Sequence, residues 1–214
     1  MPAPIAGTIL AGGRSRRMGG SDKALLPLAG RPLLRHVIER VSPQVAELAL
    51  SVEQPSATYD DFGLPQLPDP VPGHHGPLGG LLAALRHFGA RHEWVLMVPC
   101  DAPFLPSDLA AQLHRSAKAA AASGALVLYD GEPQPTFSLW HSRLLPDLER
   151  VVVTLGQGGF KQFARTIEVA ECAWPLPRRG SDPSPFFNIN DPAALQEAGR
   201  WARPAPEECS ECSA

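Results

Sequence analysis

The stretch Ile5-Ala6-Gly7-Thr8-Ile9-Leu10-Ala11-Gly12-Gly13-Arg14-Ser15-Arg16-Arg17-Met18-Gly19-Gly20-Ser21-Asp22-Lys23 decides how the chain is read. Ile5 to Leu10 is a short, largely apolar run that stops at Ala11-Gly12-Gly13, the pattern of a buried strand entering a glycine loop. Four glycines and four cationic side chains then fall between Gly12 and Lys23. Glycines let backbone N–H groups approach an anion with no Cβ in the way, and the neighbouring cations neutralise it. The loop is therefore a phosphate site by chemistry. It is neither of the common ones: no Lys-Ser/Thr pair follows a glycine as a P-loop requires, and the glycines miss G-x-G-x-x-G spacing.

Working outward, apolar strands alternate with helical patterns. Strands are expected at Glu47–Val52, Glu93–Val98, Ala125–Tyr129, Thr136–His141 and Thr166–Ala170. Helices are expected at Pro32–Val41, Leu78–Arg91, Pro106–Ala122, Leu144–Leu155 and Pro192–Arg200. Residues 54–77, which hold six prolines, read as irregular. The alternation predicts an α/β fold with a mostly parallel sheet covered on both faces. No linker or repeat divides it, so one domain over residues 1–202 is expected, followed by a polar, mobile tail at 203–214. Ligands of such sheets bind beyond the carboxyl ends of the strands, which gives weight to the residues just after them.

Composition narrows the function. With 214 residues, 44 % hydrophobic and 19 % charged, the chain can build one full core and is neither disordered nor a membrane span. A net charge of −3 argues against a general nucleic-acid binder. No signal peptide is visible and the four cysteines form no disulfide framework, so a cytoplasmic setting is expected. Cys209 and Cys212 have C-x-x-C form without a partner pair at metal spacing. The 24 prolines and 19 glycines point to elaborate loops between apolar elements. Lysine is scarce, with only Lys23, Lys118 and Lys161 against sixteen arginines, and Asn188 and Asn190 are the only asparagines. Positions that keep these residues against such a bias draw attention.

Asp101 follows the strand Glu93–Val98 within Pro99-Cys100-Asp101-Ala102-Pro103, well placed to hold Mg²⁺ on a triphosphate. Asp69, in Pro68-Asp69-Pro70, suits a rigid turn as well as a ligand contact. His74-His75 have no third ligand at metal spacing. Asn188 and Asn190 share one side of an extended segment, where two amides could read polar groups or serve turn chemistry before Asp191-Pro192. Lys161, ending the glycine-rich run Gly156 to Lys161, and Arg143 are further anion-binding candidates.

The run Leu10 to Lys23 resembles the opening loop of the molybdenum cofactor guanylyltransferases, within the wider class of nucleotide-diphospho-sugar-type nucleotidyltransferases. The resemblance continues through Leu25 to Leu33, Gly76-Pro77-Leu78-Gly79-Gly80-Leu81, Pro99 to Pro103 and Phe187-Asn188-Ile189-Asn190-Asp191-Pro192, covering the chain to about Arg200. It implies a Rossmann-like three-layer α/β/α domain with a mostly parallel mixed sheet. It also implies transfer of GMP from GTP to the terminal phosphate of molybdenum-molybdopterin, with Mg²⁺ as cofactor. Leu10, Ala11, Gly12, Gly13, Ser51 and Asp69 are the implied nucleotide contacts. Arg17 and Lys23 would hold the triphosphate, Asp101 the metal, and Asn188, Asn190, Lys161 and Arg143 the acceptor. Leu-Ala-Gly-Gly, where cytidylyl-transferring relatives more often have Ala-Gly, leans towards guanylyl transfer.

Ser51 departs from the pattern, since the family usually carries an asparagine there. Serine is shorter and cannot make an amide's paired hydrogen bonds, so it reopens the choice between GTP and CTP. Two rival readings stay open: a relative using CTP or another phosphorylated acceptor, and a non-catalytic nucleotide-binding partner of molybdoenzymes. Expected partners are the two substrates and transient contacts with cofactor-biosynthesis proteins or molybdoenzyme chaperones. Neither nucleic acid nor membrane is expected, and the chain is read as a monomer.

Overall fold

In a computed structural model, residues 5–12, 22–71, 76–155, 160–164, 167–176 and 183–202 are described. Seven strands form one mixed sheet: β1 (Ile5–Leu10), β4 (Glu47–Val52), β5 (Gln66–Pro68), β6 (Trp94–Pro99), β7 (Gly124–Tyr129), β8 (Glu132–His141) and β9 (Val169–Trp174). They lie in the order β5-β4-β1-β6-β8-β7-β9. All neighbours pair in parallel except at β8, which runs antiparallel to both β6 and β7. Two short strands, β2 (Pro27–Leu28) and β3 (Arg31–Pro32), make a separate hairpin. The helices are α1 (Leu33–Val41), α2 (Pro77–Phe88), α3 (Leu109–Ala119), α4 (Leu145–Glu149), α5 (Phe160–Ala164) and α6 (Pro192–Trp201).

Strand alternation sorts the core into two layers. On one face Ile5, Ile9, Leu50, Leu96 and Val98 pack beneath α1 and α3, through Leu34, Val37, Leu109 and Leu113. On the other, Ala6, Ala49, Val95, Met97 and Trp140 pack beneath α2 and α4, through Leu81, Leu85 and Leu148. Helices on both faces of a sheet make the chain a three-layer α/β/α domain, as expected. A third, smaller cluster joins the β2–β3 hairpin to α6 through Leu28, Leu33, Ile189 and Ala198.

Several elements differ from expectation. Residues 54–77 are not uniformly irregular: a 3-10 turn at Ala57–Phe62 and the edge strand β5 lie within them. β5 is three residues long and ends in proline, tolerable at an edge and too short to show a period. β8 begins at Glu132, because Asp130 and Gly131 both take positive φ (51° and 76°) and close a two-residue hairpin with β7. α3 starts at Leu109, three residues later than expected. The helix expected over Leu144–Leu155 becomes a π-helical turn at Arg150–Thr154, across the β-branched run Val151-Val152-Val153. The last strand lies at Val169–Trp174, where Ala170 and Cys172 turn into the core.

Candidate active site

β1, β4, β5 and β6 are adjacent and parallel, so the residues that follow them emerge along one edge. Backbone bonds carry the pairing past the strand ends. The Ala11 N–H donates to the Ser51 carbonyl (2.8 Å), that of Cys100 to Leu10 (3.1 Å), and that of Asp69 to Val52 (3.0 Å). Gly12 is needed where the chain leaves β1: a Cβ there would stand 2.7 Å from the Glu53 nitrogen and 3.1 Å from the Val52 carbonyl carbon. Two backbones approach here more closely than any side chain permits.

Lys23 sits in a one-turn 3-10 segment whose first N–H groups are capped by Asp22, its Oδ1 accepting from the Ala24 N–H at 3.0 Å. The Lys23 Nζ donates to Asp101 Oδ2 at 2.9 Å and to Asn190 Oδ1 at 2.8 Å. These partners are 78 and 167 positions away in sequence, so the fold gathers one of three lysines, the aspartate after β6 and one of two asparagines. Asp101 is 8 % exposed, and its Oδ1 is buried with no hydrogen-bond partner among the described residues. A carboxylate oxygen left without a donor at the ligand edge is the kind of atom a hard cation satisfies.

The segment carrying the asparagines is tied to the same point. Ile189 donates its N–H to the Asp101 carbonyl (2.9 Å) and buries its side chain completely, while Asn190 is exposed. The alternation about Ile189 is that of an extended strap, although no strand forms. Asp191 then caps α6, its Oδ1 accepting from the Ala194 N–H at 2.8 Å. Beside Asp101, burial and then the neighbouring carboxylate push the Cys100 thiol well up, so it stays protonated and is no nucleophile.

Other expected residues are placed differently. Ser51 is 4 % exposed and lies under the first turn of α2, where a Cβ on Gly80 would come within 2.5 Å of its Oγ and of Leu10 Cδ2. Leu10 and Ser51 thus form one wall on which the helix rests. Arg143 lies at the other end of the sheet. β8 runs antiparallel to β6, so residues after His141 lie beside Trp94, where β6 begins, at the edge opposite Asp101. Its Nε and Nη2 both donate to Ser123 Oγ, at 3.0 and 2.7 Å, which anchors a strand end. Lys161 lies in α5, which packs through Phe160 and Phe163 against Trp140. Gly13, Arg17, His74, His75 and the tail 203–214, with Cys209 and Cys212, lie outside the described residues.

The structure also brings in a residue the motifs passed over. Tyr59, from the 3-10 turn before β5, donates its hydroxyl proton to Asp22 Oδ2 at 2.5 Å and lies 3.3 Å from the Ala11 carbonyl oxygen. Its one sequence signal is rarity, as one of only two tyrosines.

Gly12, Lys23 and Asp101 along the carboxyl edge of an α/β sheet suit one class, a nucleotidyltransferase. Residues 7–171 match the family model described as the MobA-like NTP transferase domain, and the chain belongs to that family. A molybdenum cofactor guanylyltransferase of Rhodopseudomonas palustris (strain BisB5) is 41 % identical over 91 % of this chain and 92 % of its own length. One from Vibrio cholerae is 39 % identical over 92 % and 93 %. The crystal structure of molybdopterin-guanine dinucleotide biosynthesis protein A from Archaeoglobus fulgidus superposes with a TM-score of 0.74 at 24 % identity, covering 91 % of this chain and 97 % of that one, a likeness of fold. No helix among the described residues is long and apolar enough to cross a membrane.

Proposed function

We propose that this nucleotidyltransferase transfers GMP from GTP to the terminal phosphate of molybdenum-molybdopterin and releases pyrophosphate. The convergence of Lys23, Asp101 and Asn190 carries the reading, because it sets a cation, a carboxylate and an amide between the β1 loop and the strap before α6. The relatives' activity supports the choice of substrates. An acceptor phosphate oxygen, ionised at neutral pH, forms the new bond to the α-phosphorus. The α–β bridging P–O bond breaks with its electron pair staying on pyrophosphate. No general base is required, so catalysis rests on alignment and charge neutralisation.

In this reading the Gly12 and Gly13 amides and the Arg17 and Lys23 side chains hold the triphosphate, beside the wall made by Leu10, Ala11, Ser51 and Asp69. Asn188 and Asn190 hold the acceptor, with Lys161 as a further contact. Asp101 fits Mg²⁺ through its unpartnered Oδ1, and no cluster of three or more His, Cys, Asp or Glu exists among the described residues to suit an all-protein cage. When bound there, Mg²⁺ would offset charge on the phosphates. The enzyme acts as a single domain in the cytoplasm, as a monomer, with transient contacts to proteins of cofactor delivery.

Ser51 supports CTP as the one competing donor, since no amide lies at that position to pair with a base edge. Pyrophosphate release measured with GTP, CTP, ATP and UTP, each with and without molybdopterin, tests both. Release with GTP that depends on the acceptor is expected. Turnover faster with CTP would overturn the guanylyl assignment, and nucleotide binding without turnover would overturn catalysis.

A further inference from the structure

We propose that Tyr59 is a positioning residue that buckles the two ends of the phosphate loop and thereby holds Lys23 ready for the nucleotide. The inference rests on the reading of Lys23 as a triphosphate ligand. Its geometry does not. Ala11 marks the entry to the glycine loop and Asp22 its exit, and the Tyr59 oxygen lies within 3.3 Å of the first and 2.5 Å of the second. Both neighbours are acceptors and the phenol has one proton, so the nearer, charged carboxylate takes it. Asp22 is then fixed at both oxygens, Oδ2 by Tyr59 and Oδ1 by the Ala24 N–H at 3.0 Å. The next residue is Lys23, whose ammonium spans Asp101 and Asn190.

Tyr59 is itself held firmly. It is 5 % exposed, its ring packs against Phe62 at 6.4 Å between centroids, and its 3-10 turn is capped by the Ser56 hydroxyl on the Thr58 N–H. Burial and then the Asp22 carboxylate keep the phenol protonated, so it remains a donor throughout the working range. A rigid donor that fixes Asp22 restricts the backbone from which Lys23 projects, removing conformations that the lysine would otherwise lose on binding nucleotide. Once the phosphates are bound they hold Lys23 themselves. The buckle therefore acts on nucleotide affinity more than on the chemical step.

The test is Tyr59→Phe, which deletes only the hydroxyl, read in two ways. The first needs no activity: in nucleotide-free protein, acylation of Lys23 by an amine-reactive ester is followed by mass spectrometry, with Lys118 at the far end of α3 as internal reference. Lys23 labelling relative to Lys118 should rise at least about fivefold. The second is steady-state kinetics, where the KM for GTP should rise about tenfold, roughly 1.4 kcal/mol of binding, with kcat within about threefold of wild type. Asp22→Ala reaches the same bond from outside the core and should reproduce both effects. Asp22→Asn, which keeps an acceptor for Ala24 and offers its amide to the phenol oxygen, should stay near wild type. A folded Tyr59→Phe protein with wild-type Lys23 labelling and unchanged KM would overturn the proposal. Wild-type protein inactive with GTP would overturn the functional reading instead, and the labelling arm would still decide the buckle.

Discussion

Lys23 illustrates how much a single residue can carry. Its ammonium is a compact charge with three donors, and the fold engages it with Asn190 and Asp101 at 2.8 and 2.9 Å. Lys23→Ala should lower the rate of pyrophosphate release at least about a hundredfold, the scale of losing one electrostatic stabiliser, and Asp101→Ala should do the same. Near-normal turnover in either variant would remove it from the machinery. Gly12 acts through geometry alone. A Cβ there meets backbone atoms of Val52 and Glu53, which cannot rotate aside, so Gly12→Ala should cost on the order of 1–3 kcal/mol in urea unfolding and weaken nucleotide binding. Lys23 and Asn190 were legible because the composition avoids their types. Tyr59 was not, because its partners are set by two loops meeting, and no spacing in the sequence encodes that meeting.

At the scale of elements, legibility followed the strength of the period. α1 shows its buried stripe of Leu33, Leu34, Val37, Ile38 and Val41 directly in the sequence, β6 shows a continuous apolar run, and β1 and β4 show largely apolar ones. β5 and the start of β8 did not declare themselves: one is too short, and the other depends on the Asp130-Gly131 turn. The placement of Arg143 depends on topology in the same way, since the antiparallel direction of β8 carries the residues after His141 to the edge opposite Asp101. The strap and α6 give an element-level prediction. Asp191 caps α6 one residue after Asn190, and Trp201 at the helix end packs edge-on against Phe104 and Phe187, at 5.7 and 5.0 Å between centroids. Asp191→Ala should cost about 1 kcal/mol of stability by loss of the cap. If the helix start sets the asparagine, kcat/KM for the acceptor should fall more than that for GTP. Equal losses would mean that the cap serves stability alone.

Across the whole molecule the two ends of the sheet do different work. The carboxyl edge holds Asp101, whose buried Oδ1 has no hydrogen-bond partner among the described residues, whereas the opposite edge carries ion pairs of the protein's own. There Glu47, which opens β4, accepts from Arg91 Nη2 at 2.9 Å and contacts His92 Nε2 at 2.8 Å, both just before β6, so one carboxylate clamps strands that flank β1. The Arg91 guanidinium first, and His92 second, hold the Glu47 carboxyl down from its ordinary value of 4.5 to about 2. A carboxyl lowered in the folded state binds fewer protons than in the unfolded chain. Its contribution is therefore complete above pH 4.5 and is lost as pH falls towards 2. Because the pair is solvent-exposed, salt screens it and its size stays that of a surface clamp. The stability difference between wild type and Glu47→Gln, taken from urea midpoints, should be constant between pH 5.5 and roughly 7, shrink as pH falls from about 4.5, and shrink also in high salt. The same variant should leave guanylyl transfer at neutral pH unchanged, because the clamp and Asp101 sit at opposite ends of parallel strands. A difference that grows on acidification, or a loss of turnover at pH 7, would show that the two edges are not separate in function.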